Sequence, residues 1–297
     1  MTASHPETPA ARPPSAVAAS TSRRDRAAGR AGRNLVAAIG VGLTMGAVVL
    51  ASLLIERHWF VAVLALAAAA GTWELAGALR RGADIRIPLP VLLVGGQAMV
   101  WLAWPFGPAA IAIAFAGTAL LVLLWRMPAG AENYVRDVTA GLFSAAYVPM
   151  LCAFATLMTV AADGVGRVLT FLICVVASDV GGYTAGVLIG RHPMAPTISP
   201  KKSWEGFAGS LVTGMVAGAL TVVFLLNGPW WAGVLTGALL VVSATLGDLI
   251  ESMMKRDLGI KDMGTLLPGH GGVLDRLDSL LPTALVAWAA LSLLIPG

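Results

Sequence analysis

The stretch VLTFLICVVASDVGGYTAGVLIG, Val168 to Gly190, decides the fold class. It is longer than the ~20 residues a helix needs to cross the hydrocarbon core of a bilayer. It lacks the ten-residue polar–apolar alternation of a membrane strand. Its one acid, Asp179, stands near the middle, where a charge is costly and therefore a candidate for function. Working outward, further apolar segments lie at 34–55, 59–79, 88–104, 108–125, 138–162, 206–226, 230–254 and 277–295. The chain is thus predicted to be an all-α, polytopic integral membrane protein with about nine transmembrane helices. Only Pro105 to Pro108 separate the third and fourth segments, so one re-entrant hairpin is the alternative there. Pro149 and Pro282 fall inside predicted helices, which membranes tolerate when neighbours satisfy the freed carbonyls.

Composition points the same way. Of 297 residues, 57% are hydrophobic and 12% charged. A soluble domain carries about twice that charged fraction, so an ordinary soluble enzyme and a long disordered protein are both excluded. Cys152 and Cys174 lie in apolar runs and offer neither a disulfide framework nor a zinc spacing. Residues 1–33, rich in Ala, Pro, Ser, Thr and Arg, read as a disordered basic tail. The run from Asn34 to Ile55 is long enough to span, and no small-residue cleavage site follows it, so a signal peptide is not expected. The remainder divides into an N-terminal transmembrane region, 34–129, and a C-terminal region, 130–297, that carries the chemistry.

Charge sets the predicted orientation. Of 20 Lys and Arg residues, all but Arg57 and Arg167 fall in the tail or in alternate loops on one side. The positive-inside rule then places the tail in the cytoplasm and the C-terminus outside.

Acidic residues gather near the inner ends of the C-terminal helices. Asp248, in ATLGDLIESMMKR, shares a helix face with Glu251 and Ser252. Asp275 and Asp278, in VLDRLDS, open the ninth predicted helix. The loop 255–274 joins the two helices, so these carboxylates are expected to converge at the inner membrane surface. Oxygen ligands without Cys or paired His suit a hard cation such as Mg²⁺, bound partly through substrate phosphates. The bland alternative is a helix cap or dipole partner for Asp275, and a neutral or paired carboxyl for Asp179. Gly181 and Gly182 permit close approach beside Asp179, and Tyr183 shares its face.

Basic residues form the matching half. RHPMAPTISPKKSWEG holds Lys201, Lys202 and Glu205 in a proline-stiffened loop. The next inner loop carries Lys255, Arg256, Lys261, His270 and Arg276, and its Gly269–Gly272 run frees the backbone to bend around phosphate oxygens. Topology alone would collect lysines and arginines on the inside, but not the interleaved acids, His270 or the glycines. Acids for a cation beside bases for phosphates is the layout of phosphoryl or nucleotidyl transfer.

The segment SMMKRDLGIKDMGTLLPGHGGVLDRLD, Ser252 to Asp278, resembles the signature of the phosphatidate cytidylyltransferases (CDP-diacylglycerol synthases). The pattern is filled by Ser252, Lys255, Arg256, Lys261, Asp262, His270, Gly271, Gly272, Asp275, Arg276 and Asp278. SDVGGY (Ser178 to Tyr183) and ISPKKSWEG (Ile198 to Gly206) are similar to the same family, and WEL (Trp73 to Leu75) is a weak local echo. RHPMAP departs from it, since family members commonly have a Lys before the Ala-Pro. The resemblance implies a multi-pass enzyme of the cell membrane, with its active site facing the cytoplasm. It would form CDP-diacylglycerol and pyrophosphate from CTP and phosphatidic acid, with Mg²⁺ and room for a second cation. It implies metal ligation by Asp248, Asp275 and Asp278, with Asp179 deeper. Phosphate contacts fall to Lys201, Lys202, Ser252, Lys255, Arg256, Lys261, Arg276, Gly271 and Gly272, and a positioning or proton-donating role to His270. Membrane lipids and a second copy of the chain are the expected partners, and nucleic acid is not. The rivals are another CTP-using lipid enzyme, such as a polyprenol or dolichol kinase-like protein, and an ion-coupled transporter. The full 252–278 match disfavours the first, and acids crowded at one membrane face, without an internal repeat, disfavour the second.

Overall fold

The computed structural model describes residues 40–267 and 271–296. The tail 1–33, the start of the first apolar segment and His270 lie outside the described residues. The chain runs as α1 (Gly40–Ile55), α2 (Arg57–Ala83), α3 (Leu89–Arg126), α4 (Tyr134–Ala145), α5 (Leu151–Val160) and α6 (Gly164–Ile189). Two short strands follow, β1 (Pro193–Ala195) and β2 (Ser199–Ser203). Then come α7 (Trp204–Leu226), α8 (Trp230–Asp257), the single turn α9 (Leu274–Leu277) and α10 (Leu280–Leu294). Among the described residues, seven helical stretches are long and apolar enough to cross a membrane; α1 is shorter. The fold is all-α apart from the small antiparallel β1–β2 hairpin.

The difference from nine segments has a local cause. The segments 88–104 and 108–125 both belong to α3, whose helical geometry breaks at Gly107 (φ 68°, ψ −158°). Pro105 removes a backbone donor, Gly107 adopts a positive φ that other residues resist, and Pro108 begins the second arm. The arms fold back on one another, because a side chain at Gly95 would collide with Thr118. One straight helix would hold these two residues roughly 35 Å apart. Pro149 is accommodated differently, by a π-helical turn over Ala146–Met150 that joins α4 to α5. Pro282 falls in the first turn of α10, where a missing donor costs little, because the ninth predicted helix is broken into α9 and α10.

Hydrogen bonds between loops define two ends. At one end Arg81 donates to the carbonyl of Met263 (2.9 Å), Arg136 to that of Asp84 (2.9 Å) and Arg256 to that of Ile198 (3.4 Å). At the other end, Arg57 donates to the carbonyls of Thr159, Ala161 and Ala162 (2.8–3.2 Å). Arg167 there pairs with Asp163 (2.7 Å) and donates to the carbonyl of Ile295 (2.7 Å). Thus the two exceptions to the charge asymmetry serve as clasps on backbone carbonyls near helix ends.

Two apolar clusters fill the interior. One joins α2, α3, α4 and α5 to Leu258, Met263 and Leu274 of the α8–α10 connection. The other joins α6, α7, α8 and α10, with Leu53 and Phe60. Small residues let α6, α7 and α8 pack closely: Gly181 meets Thr213, Gly182 meets Ser210, and Gly218 of α7 meets Gly233 of α8.

Candidate active site

A cavity of about 580 Å³ opens at the Lys/Arg-rich end, bounded by α6, α7, α8, the β hairpin and the α9–α10 corner. Asp179, Lys201, Lys202, Asp248, Asp275, Arg276 and Asp278 all line it. Close packing explains the convergence. Gly247 of α8 lies against the carbonyl of Asp278 and the ring of Pro282, which brings its neighbour Asp248 beside the α9–α10 corner. On α6, the carbonyls of Ala177 and Ser178 just before Asp179 accept hydrogen bonds from Thr213 (2.8 Å) and Ser210 (2.7 Å) of α7. These hydroxyls hold the backbone from which Asp179 faces the cavity with Tyr183 and Gly182.

The proline-stiffened loop is the β hairpin. Glu205 holds its base, accepting from the backbone of Arg191 (3.1 Å) and His192 (3.2 Å) and meeting the His192 ring at 2.5 Å. Ser203 caps α7 by accepting from Gly206 N (3.1 Å). So anchored, β2 carries Lys201 and Lys202 to the cavity, and Lys202 forms an ion pair with Asp248.

The acids differ in what already surrounds them. Asp275 accepts from the backbone N–H groups of Met263 (3.1 Å), Gly264 (3.4 Å) and Gly272 (2.8 Å), and it pairs with Lys255 (2.6 Å). Its oxygens are occupied by the loop. Asp278 accepts a local bond from Ser279 N (2.6 Å) and lies beside the buried Glu251 carboxyl. Asp248 meets Lys202, with a long contact to Ser252 Oγ (3.5 Å). Among the described residues, no group of three His, Cys, Asp or Glu side chains is arranged to hold a metal ion unaided.

Other expected contacts do not line the cavity. Lys255 sits behind it, between Asp275 and Glu251 (3.3 Å). Arg256 and Lys261 are exposed outside it. Gly271 takes a positive φ of 83° and Gly272 lies against Glu74, so these glycines bend around protein carboxylates. Sequence reasoning passed over Glu251 and Glu74 as site residues. Glu251 is fully buried one turn beyond Asp248, and its position on the Asp248 face was the available signal. Glu74, in the WEL echo, is 2% exposed on α2 and accepts from Leu274 N (2.8 Å).

Fold and cavity together define an integral membrane protein with a mixed-charge cavity at one end of its helices. The chain belongs to the cytidylyltransferase family, whose sequence model matches residues 36–294. It is therefore a nucleotidyltransferase. It is 50% identical over 278 residues to a phosphatidate cytidylyltransferase of Mycobacterium bovis, covering 89% of this chain and 90% of that protein. It is 49% identical over 281 residues to the enzyme of the same name from Mycobacterium leprae, again covering 89% and 90%. A Staphylococcus saprophyticus phosphatidate cytidylyltransferase is 38% identical over 146 residues, 49% of this chain and 55% of that protein.

Proposed function

We propose that the protein transfers the cytidylyl group of CTP to phosphatidate at the cytoplasmic face of the cell membrane. The products are CDP-diacylglycerol and pyrophosphate, and the reaction serves phospholipid biosynthesis. The observation that carries this reading is the single cavity in which Asp179, Asp248 and Asp278 face Lys201, Lys202 and Arg276. The names of the mycobacterial relatives support the same substrates.

A phosphate oxygen of phosphatidate, already anionic, attacks the α-phosphorus of CTP. The bond from that phosphorus to the bridging oxygen breaks, and pyrophosphate leaves with the electron pair. No strong base is needed. The barrier is repulsion between two anions, and fixed cations offset it. Lys201, Lys202 and Arg276 are the cationic side chains on the cavity wall, and they would bind and orient the triphosphate and the lipid phosphate. His270 is assigned to phosphate positioning or to proton donation to the leaving pyrophosphate.

Oxygen donors without Cys suit Mg²⁺ held partly by substrate phosphates. Asp248 and Asp278 fit this role because neither is enclosed by several backbone donors, and Asp179 adds a deeper oxygen or a second cation's ligand. Asp275 does not fit, since three backbone N–H groups and Lys255 already occupy it. The ion supplies Lewis-acid neutralisation of phosphate charge. A homodimer is part of the same reading, on the strength of the family resemblance.

The test is product formation by purified protein in detergent with CTP, phosphatidate and Mg²⁺, beside Asp248→Ala and a chelated sample. CDP-diacylglycerol from the wild type alone, restored to the chelated sample by Mg²⁺, is expected. Folded wild-type protein that makes none, with other lipid acceptors tried, refutes the reading.

A further inference from the structure

We infer that Glu74, on α2 in the N-terminal half, is a positioning residue for the reaction. It holds Gly264, Gly272 and Leu274 in the arrangement that delivers Asp275, Arg276 and Asp278 to the cavity. The inference rests on the proposed activity and extends it to a residue far from the signature segment.

Three observations converge on Glu74. Its side chain is 2% exposed, which is unusual for a carboxylate unless something near it needs it. Its Oε2 accepts from Leu274 N at 2.8 Å, across 200 residues of chain. That N–H opens the turn α9, too short to bury its own donors. Finally, a side chain at Gly264 or at Gly272 would collide with the Glu74 carboxylate. Gly264 and Gly272 therefore flank the Glu74 carboxylate on two sides, and a side chain at either would displace it.

The loop is thus held from two directions. Asp275 gathers the N–H groups of Met263, Gly264 and Gly272 from within. Glu74 fixes Leu274 from α2, and Arg81, two turns further along α2, donates to the carbonyl of Met263 (2.9 Å). Glu74 does not line the active cavity, so it acts through the loop. Removing its acceptor leaves a buried N–H unpaired one residue before Asp275 and frees the loop to rearrange.

The experiment compares Glu74→Ala, Glu74→Gln and Leu75→Ala in full-length protein in detergent. Leu75 is buried on the same helix in the apolar core, so its truncation reports a general loss of α2 packing. Glu74→Ala is expected to lower kcat about 10- to 100-fold, the consequence of one unpaired buried donor, and to raise KM only as far as Arg276 is displaced from the cavity. Glu74→Gln, whose amide oxygen still accepts from Leu274 N, is expected to recover most of kcat. Limited trypsinolysis after Lys261 should accelerate in Glu74→Ala and not in Leu75→Ala. Wild-type kcat and cleavage in Glu74→Ala would overturn the inference, and so would an equal kcat loss in Leu75→Ala. An inactive wild type would instead remove the proposed function, while the cleavage comparison still judges the role of Glu74.

Discussion

The cavity wall and the loop behind it are built from the same residue types and use them in opposite ways. On the wall, Asp179, Asp248 and Asp278 have few backbone donors around them, and Lys202, which pairs with Asp248, belongs to a separate hairpin. In the loop, Asp275 is saturated by three N–H groups and Lys255, while Glu74 and the glycines lock together. A carboxylate with unsatisfied oxygens over an open cavity has binding capacity left for a ligand. A carboxylate saturated by backbone has spent that capacity on folding. Asp275 and Asp278, three residues apart in the 252–278 signature, therefore differ in how much of their bonding capacity the backbone has taken.

The division is tested most strongly at Asp248. Asp248→Asn keeps the shape and removes the charge. Product formation is expected to fall by about 10²–10³-fold, the scale of losing one preorganised electrostatic group. Thermal stability should barely change, because Asp248 supports no backbone. A melting temperature that drops with activity would place Asp248 among the architectural acids instead.

Asp275→Asn is the mirror experiment. The amide keeps one acceptor oxygen but turns a donor towards N–H groups that need acceptors. The expected cost is about 1–3 kcal/mol of stability, with faster trypsin cleavage after Lys261 and a moderate loss of kcat. Activity lost with stability intact would return Asp275 to the ligand set.

What the sequence revealed follows the same line. Acids in or beside apolar runs are conspicuous because their placement is costly, and the four so singled out, Asp179, Asp248, Asp275 and Asp278, line one cavity with Lys201, Lys202 and Arg276. The charge asymmetry was equally plain, and its two exceptions, Arg57 and Arg167, have structural partners. The fold-back of α3 at Gly107 was open as an alternative, because two prolines flank it. The β hairpin was hidden, since a three-residue and a five-residue strand leave no period to read. Glu74 was hidden for a deeper reason. Its partner lies 200 residues away, and neither the WEL echo nor the 252–278 signature says that the two segments meet.

Within the cavity wall, Lys201 offers a finer measure. It is exposed at the mouth and lines the cavity. Lys201→Ala is expected to raise KM for CTP several-fold, in line with about 1 kcal/mol for a charge-assisted contact near water, with kcat and stability unchanged. An effect confined to phosphatidate would assign this lysine to the lipid phosphate.

The smallest effect on chemistry is expected at the opposite end. Arg57 donates to the carbonyls of Thr159, Ala161 and Ala162, which close α5 and the turn after it. Arg57→Leu removes those donors and should destabilise the protein by about 1–2 kcal/mol, read as a lower melting temperature in detergent. Because neither the cavity nor the loop 263–274 touches this end, kcat and both KM values should match wild type. If kcat falls as well, the two ends are coupled through α2, which begins at Arg57 and carries Glu74. The loop would then depend on how the whole of α2 is seated, and Glu74 would be only its nearest point of contact.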